Sequence, residues 1–328
     1  MTDNPDLSII IPSYNAATTI VDVVSKCLPS TSSLSVEVLI VDDCSTDDTL
    51  SLIAAKFGDD SRVRSLLMPV NGGPGPARNA GLAAASGEFT IFLDADDFID
   101  LEVAVKIIQT MRKYDIDTAI TAYREAKSYE AYNEDPSSGC LLESDQRIFD
   151  NILNGADIRI FRLKDYPRVL ELINFPWNKI SRTDHLKNNS IHFPNLRLNE
   201  DILPHWQILC ASKLIMLCNE SLVTHFVSPF GNNATNQATM QRLDVLTALE
   251  ELSAFLRSAQ VEEYVLWSFY SFSADVLLWA KQLVPPEAHK EFRRRVISLY
   301  SGHSHDEIIR GSYKGYNIVY PLHALIYG

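Results

Sequence analysis

The 328-residue sequence is poor in cysteine, and none of its five cysteines (Cys27, Cys44, Cys140, Cys210 and Cys218) forms a CxxC pair or a metal-like cluster. That scatter argues against a disulfide framework and a zinc site, and it suits a reducing compartment. Positive charge is also short: 29 basic residues face 42 acidic ones, for a formal net charge of −13. A field of that sign repels polyanions, gives no support to nucleic-acid binding and welcomes a divalent cation. The one basic run, Arg293-Arg294-Arg295, reads as the solvated face of a helix. No basic segment, apolar h-region or small-residue cleavage site precedes the first strand-like run, so secretion is not expected. No apolar stretch approaches the roughly 20 residues of a membrane span, the nearest being the uneven tail from Tyr316 to Tyr327. The expected location is cytoplasmic, with any membrane contact peripheral at the inner face. The first strand-helix turn, Pro12-Ser13-Tyr14-Asn15, lacks GxGxxG, and Gly72-Gly73-Pro74-Gly75 comes two strand-helix units later. Both facts count against a dinucleotide oxidoreductase.

Hydrophobic residues make up 46% and charged residues 22%, as in globular proteins, so the chain is expected to fold throughout. Leu7 to Ile11 and Val36 to Val41 are β-branched runs, followed by helical patterns at Ala17 to Cys27 and Asp48 to Phe57. This βαβ order predicts a parallel sheet of an α/β fold. A short strand near Arg64 to Met68 leads to a Gly/Pro-rich loop, Asn71 to Gly75. A helix to about Ala85 follows, its first turn suited to anionic groups. A buried strand, Phe89 to Leu93, ends in Asp94-Ala95-Asp96-Asp97. In such sheets ligands bind beyond the carboxyl ends of the strands, where these loops converge. Glu125 to Gly139 reads as an exposed loop or hairpin. From Asn236 the pattern is helical to Val284, breaks at Pro285-Pro286 and resumes to about Tyr300. The domain expectation is therefore a unit over 1–235, with halves at about 1–100 and 101–235, and a helical region over 236–328.

Asp94 and Asp96 place two carboxylates on one strand-end turn, where a hard cation such as Mg²⁺ or Mn²⁺ finds oxygen ligands. The same aspartates would also serve as turn formers or helix caps. Context bears on the choice. Ile10-Ile11-Pro12-Ser13-Tyr14-Asn15, Val41-Asp42-Asp43-Cys44-Ser45-Thr46-Asp47, Ala77-Arg78-Asn79-Ala80-Gly81 and Phe92-Leu93-Asp94-Ala95-Asp96-Asp97 resemble, in order and spacing, bacterial family 2 glycosyltransferases of the surface-polysaccharide type. The resemblance is strong over residues 7 to 100, returns between Pro176 and Asp201, and is faint after about Asn236.

The resemblance implies a GT-A fold: a Rossmann-like mixed sheet flanked by helices, here with a C-terminal helical appendage. It implies an inverting transferase that moves a sugar from a UDP-sugar to a hydroxyl of a glycan or lipid-linked acceptor. Pro12, Tyr14, Asn15, Asn71 and Ala95 would border the donor. Asp43 would accept from the N3–H of uracil, which cytosine lacks. Ser45 would assist or cap the helix from Asp47, and Arg78 would face the diphosphate or form an ion pair. Asp94, Asp96 and His225 would hold Mn²⁺ or Mg²⁺, with His205 a rival and a structural histidine the alternative. Cys44 stands where relatives carry glycine, at a tight turn.

In the second half, Phe175-Pro176-Trp177-Asn178-Lys179-Ile180 and Asn199-Glu200-Asp201-Ile202 resemble the family's tryptophan-lysine segment and its ED motif. Asp201 would be the general base that an acceptor hydroxyl needs near neutral pH. Glu200 would orient base or acceptor, or favour a helix dipole. Trp177 would stack on a sugar or fill the core, and Lys179 would line the acceptor side. Two other classes stand beside this reading: a metal-dependent nucleotidyltransferase, which would release pyrophosphate, and a non-catalytic nucleotide-sugar-binding protein. The C-terminal aromatics, Trp267, Phe269, Tyr270, Phe272 and Trp279, are expected to pack into a core, with a homo-oligomer or a lipid-linked acceptor as alternatives.

Overall fold

The computed structural model describes residues 4–28, 34–126, 141–227, 239–301 and 304–327. The expected boundary at 235/236, and all but the first two residues of the polar segment from Glu125 to Gly139, lie outside them. Among the described residues, nine strands form one mixed sheet.

Strand β1 (Leu7–Ser13) lies between β2 (Val36–Asp42) and β4 (Phe89–Phe92), parallel to both, and β3 (Val63–Leu67) extends the sheet beyond β2. All seven residues of β2 are buried, as expected of a parallel strand covered on both faces. Helices α1 (Ile20–Cys27), α2 (Thr49–Phe57) and α3 (Pro74–Ala84) make the crossovers. The chain leaves β1 for β2 on one side and later returns to β4 on the other, which makes the β1/β4 edge the switch point where open α/β sheets bind ligands.

The sheet then turns mixed. After β5 (Phe98–Ile99) come α4 (Leu101–Tyr114), β6 (Thr118–Ala126), α5 (Glu143–Leu153) and β7 (Ile158–Phe161). Strand β8 (Lys179–Arg182) pairs antiparallel with both β4 and β6, and so joins the two halves of the sheet. Helix α6 (Thr183–Asn188), α7 (Ile202–Ala211) and strand β9 (Ile215–Phe226) complete this part, with β9 bordered by β6, β7 and β5.

The helical stretch expected from Asn236 to Val284 contains two helices, α8 (Asp244–Ser258) and α9 (Glu263–Lys281). Gln260 adopts a left-handed φ of 50° at the break. Helices α10 (His289–Ser301), α11 (His305–Tyr313) and α12 (Val319–Tyr327) follow. The helical layer packs through α8 on α7 and through α9 on the turn Pro167–Glu171. Phe269, Tyr270 and Phe272 are buried there, as the core-packing expectation has it, and one apolar core runs from the sheet into this layer. Trp279 is different, at 41% exposed. Among the described residues no helix is long and apolar enough to cross a membrane.

Candidate active site

The carboxyl ends of β1, β2 and β4 open into a cleft of about 1960 Å³, which the ED segment and the C-terminal helices also line. Backbone strain collects at its rim. Asn15 after β1, Cys44 after β2 and Asn199 before α7 all hold left-handed φ values of 51°, 64° and 62°. Such conformations persist only where the surroundings enforce them. The tight turn expected at Cys44 is therefore present, and its Sγ donates to the Met68 carbonyl at 3.2 Å.

The donor-side loops are tied together by their own polar groups. Asn15 donates its backbone N–H to Ser45 Oγ at 2.9 Å and accepts from the Thr46 N–H on its side-chain oxygen at 2.8 Å. Ser45 thus clamps the first loop and caps no helix, while Asp47, just ahead of α2, accepts from Thr49 N–H at 3.0 Å. Asp43 is buried and accepts from Gly72 and Gly73 N–H at 2.8 and 2.7 Å. The loop amides just ahead of α3 thus hold Asp43 in place. Each of its oxygens keeps a second lone-pair direction. Asn71 donates to the Asp43 carbonyl and accepts from Arg197 at 2.6 Å. Pro12, Tyr14 and Ala95 line the same cleft, with Tyr14 53% exposed.

Arg78 forms the ion pair that was its alternative and also lines the cleft. Its buried guanidinium donates through Nη2 to Asp94 at 2.8 Å and through Nη1 to Glu200 at 2.7 Å, across the ring of Phe193. Burial opposes the charge, but the two carboxylates outweigh it and raise the arginine's pKa further. This side chain joins the DxD turn to the ED segment through one oxygen of each carboxylate, and its buried Nε–H has no partner. Asn79 reinforces the junction, exchanging two hydrogen bonds with Phe193 at 2.7 and 2.9 Å.

Asp96 and His225 meet in the cleft beside Asp94. Burial raises the Asp96 pKa, Asp94 adds to the rise, and His225 counters it. His225 Nδ1 is held by the fully buried Asp97 at 2.9 Å. Burial works against its charge, but Asp97, Asp94 and Asp96 lift it to about 9. Among the described residues no three such side chains gather tightly enough to hold an ion as they stand. The chemistry of the set nonetheless fits one. Asp96 is a carboxylate open to the cleft, and an imidazole fixed by a carboxylate through one nitrogen is how ligating histidines present the other. His205 does not fit: it is buried and bonded to the Leu170 carbonyl at 3.2 Å, and burial drives its pKa down.

Asp201 begins α7 without capping it. Burial and the neighbouring Glu200 raise its carboxyl to about 7, against the opposing pull of Arg78 and Lys179. Lys179 is buried, donates to the Phe175 carbonyl at 2.8 Å and to Asn178 at 2.6 Å, and is lowered to about 7 by burial. It therefore braces the turn beneath the cleft and does not line an acceptor face. Trp177 is likewise a core aromatic, 1% exposed, stacked on Phe175 with centroids 4.5 Å apart and on His225 at 5.4 Å. Phe175 is the more accessible ring of this cluster. Asp97, Asn79 and Phe175 stood inside motifs that the sequence displayed, without a role.

The fold is of the GT-A class, and residues 8–163 match the family model described as glycosyl transferase family 2. It is 44% identical over 95 residues to the succinoglycan biosynthesis protein ExoO of Rhizobium meliloti, covering 29% of this chain and 26% of that protein. It is 30% identical over 208 residues to the poly(ribitol-phosphate) beta-N-acetylglucosaminyltransferase TarS of Staphylococcus aureus, covering 60% and 31%. These matches span well under half the length of either relative. The crystal structure of S. aureus TarS 1-349 in complex with UDP-GlcNAc superimposes with a TM-score of 0.66 at 21% identity, over 94% of this chain and 92% of that one.

Proposed function

We propose that this protein transfers a sugar from a UDP-sugar to a hydroxyl group of a glycan or lipid-linked acceptor, inverting the anomeric carbon. The observation that carries the reading is the Asp94–Arg78–Glu200 bridge, which fastens the donor turn beside a carboxylate, Asp201, that is poised near neutrality. A base with a pKa near the working pH combines a useful ionised fraction with real proton affinity.

In this mechanism Asp201 accepts the proton of the acceptor hydroxyl while that oxygen attacks the anomeric carbon. The bond to the nucleoside diphosphate breaks on the opposite side, so the configuration inverts. Asp43 receives the uracil N3–H on a lone pair not used by Gly72 and Gly73, while Pro12 and Tyr14 border the base. Glu200 and Arg78 act by positioning: they fix the distance between donor turn and base. Asp94, Asp96 and the free nitrogen of His225 would hold Mg²⁺ or Mn²⁺, which supplies charge neutralisation of the diphosphate when bound. A relative solved with UDP-GlcNAc on the same fold supports a uridine donor.

The test incubates the protein with UDP-GlcNAc and related UDP-sugars with and without Mn²⁺, and follows release of UDP. Metal-stimulated UDP release that vanishes in Asp201→Asn, with UDP binding retained, supports the reading. Pyrophosphate as the product would replace it with nucleotidyl transfer; UDP binding without turnover under any condition would leave a binding protein.

A further inference from the structure

The cleft is larger than its proposed donor requires. At about 1960 Å³ it exceeds the roughly 300–1,000 Å³ of an ordinary small-ligand site by a factor of about two. The surplus lies on the side of the C-terminal helices. Phe272, Asp275, Val276 and Trp279 of α9 all line it, at spacing i, i+3, i+4 and i+7, so one stripe of that helix faces the cleft along two turns. Helix α5 contributes a second stripe of the same spacing, Ser144, Arg147, Ile148 and Asn151. Tyr166, Glu171 and Tyr316 line the same cleft.

The chemistry of these walls selects the occupant. Trp279 is 41% exposed although it belongs to a packed helix, and Arg242 is placed over its ring with 5.1 Å to the centroid. An indole held from one side and open on the other is a platform for a flat apolar surface, which a pyranose ring presents through its C–H face. Four positions before it, Asp275 adds a carboxylate to accept from hydroxyls. Positive charge for a polyanion is limited: Arg147 is paired with Glu143 and Arg168 with Glu171, while Lys314 and, bonded to Asn71 at the donor loops, Arg197 line the cleft without a carboxylate ion pair among the described residues. Asp145, Asp165 and Asp275 remain on this side of the cleft.

We infer that the α9 stripe is an extended acceptor subsite that takes a glycan chain longer than one sugar and free of phosphate, with Trp279 as stacking platform and Asp275 as hydroxyl acceptor. This rests on the glycosyl-transfer reading above, because the reducing or non-reducing end of that chain must reach Asp201. Trp279 is here a specificity-determining residue, remote from the reacting atoms.

The experiment uses the full chain in saturation-transfer NMR and calorimetry. The probes are gluco-, chito- and maltooligosaccharides of one to four units, with a poly(ribitol phosphate) as the anionic comparator, each in the presence of UDP. The expected result is affinity that rises about tenfold or more from one to three units, falls back in Trp279→Ala, recovers in Trp279→Phe and weakens in Asp275→Asn, while UDP affinity stays constant throughout. Affinity independent of chain length, no saccharide binding at all, indifference to both positions, or preference for the polyanion would overturn it. A protein that ignores UDP fails the transfer reading; one that binds UDP and gives any of those four results fails only this inference.

Discussion

At the scale of single residues, Arg78 bonds Glu200, 122 residues further along the chain, and so joins that segment to the Asp94 turn. Its guanidinium is buried between two carboxylates, so removing it leaves unneutralised charge in a poorly solvated place. Breaking a buried pair in that way typically destabilises by about 3–5 kcal/mol. Arg78→Met is expected to show a loss of that order in urea denaturation. Arg78→Lys should recover only part, because a point charge cannot serve Asp94 and Glu200 in two directions at once. Asp201 makes a second residue-scale prediction. Its ionised form is the base, so transfer should fall as pH drops below about 7. Lys179 favours that ionised form, so Lys179→Met should move the acidic limb to higher pH while the KM for the UDP-sugar stays put. The stability sign follows from the same shift. The carboxyl of Asp201 is raised above its unfolded value, so its contribution is fully present below the ordinary carboxylate range and is lost as pH rises through about 7. Asp201→Asn should therefore lose turnover by about 10²-fold or more, yet melt at a higher temperature than wild type at pH 8.

At the scale of elements, the sequence carried β1, β2 and β4 clearly, because short β-branched runs between turn residues have no other stable reading in a parallel sheet. It carried the site loops for the same reason, since each begins where such a run stops. What it withheld was the partner of each side chain. Lys179 and Trp177 stand in a segment that resembles a binding motif, and only burial shows that they brace it; the stripe on α9 has the spacing of any core-facing helix, and only the cleft shows that Trp279 is open. Helix α3 illustrates how closely the elements are fitted. A Cβ at Gly81 would lie 2.3 Å from Ile10 of β1, and one at Gly75 would lie 2.4 Å from the Pro194 carbonyl. Gly81→Ala must push the helix off the sheet and is expected to destabilise by about 1–3 kcal/mol. Gly75→Ala forces apart α3 and the segment leading to Glu200, so it should weaken UDP affinity more than its stability loss explains. Calorimetric titration beside thermal denaturation of both variants separates the two effects; equal UDP affinity in all three proteins would contradict this account of α3.

At the scale of the whole molecule, the question is whether the C-terminal helices are a passenger or a part of the catalytic body. Their apolar faces are continuous with the sheet's core: α8 lies on α7, whose first residue follows Asp201, and α9 lies on the Pro167–Glu171 turn that borders the cleft. Polar contacts repeat the link, with Ser268 donating to the Pro167 carbonyl at 3.1 Å and Ser271 to Glu171 at 3.0 Å. Elements that share a core and hold one another's polar groups gain little by unfolding separately, because each would expose the apolar face that the other covers. Differential scanning calorimetry should accordingly give one transition with equal calorimetric and van't Hoff enthalpies. A saturating UDP concentration should raise that single melting temperature as a whole, since a ligand stabilises whatever unit must fold to bind it. Two transitions, with only one of them moved by UDP, would make the helical layer an independent domain and would detach Trp279 from the energetics of the donor site.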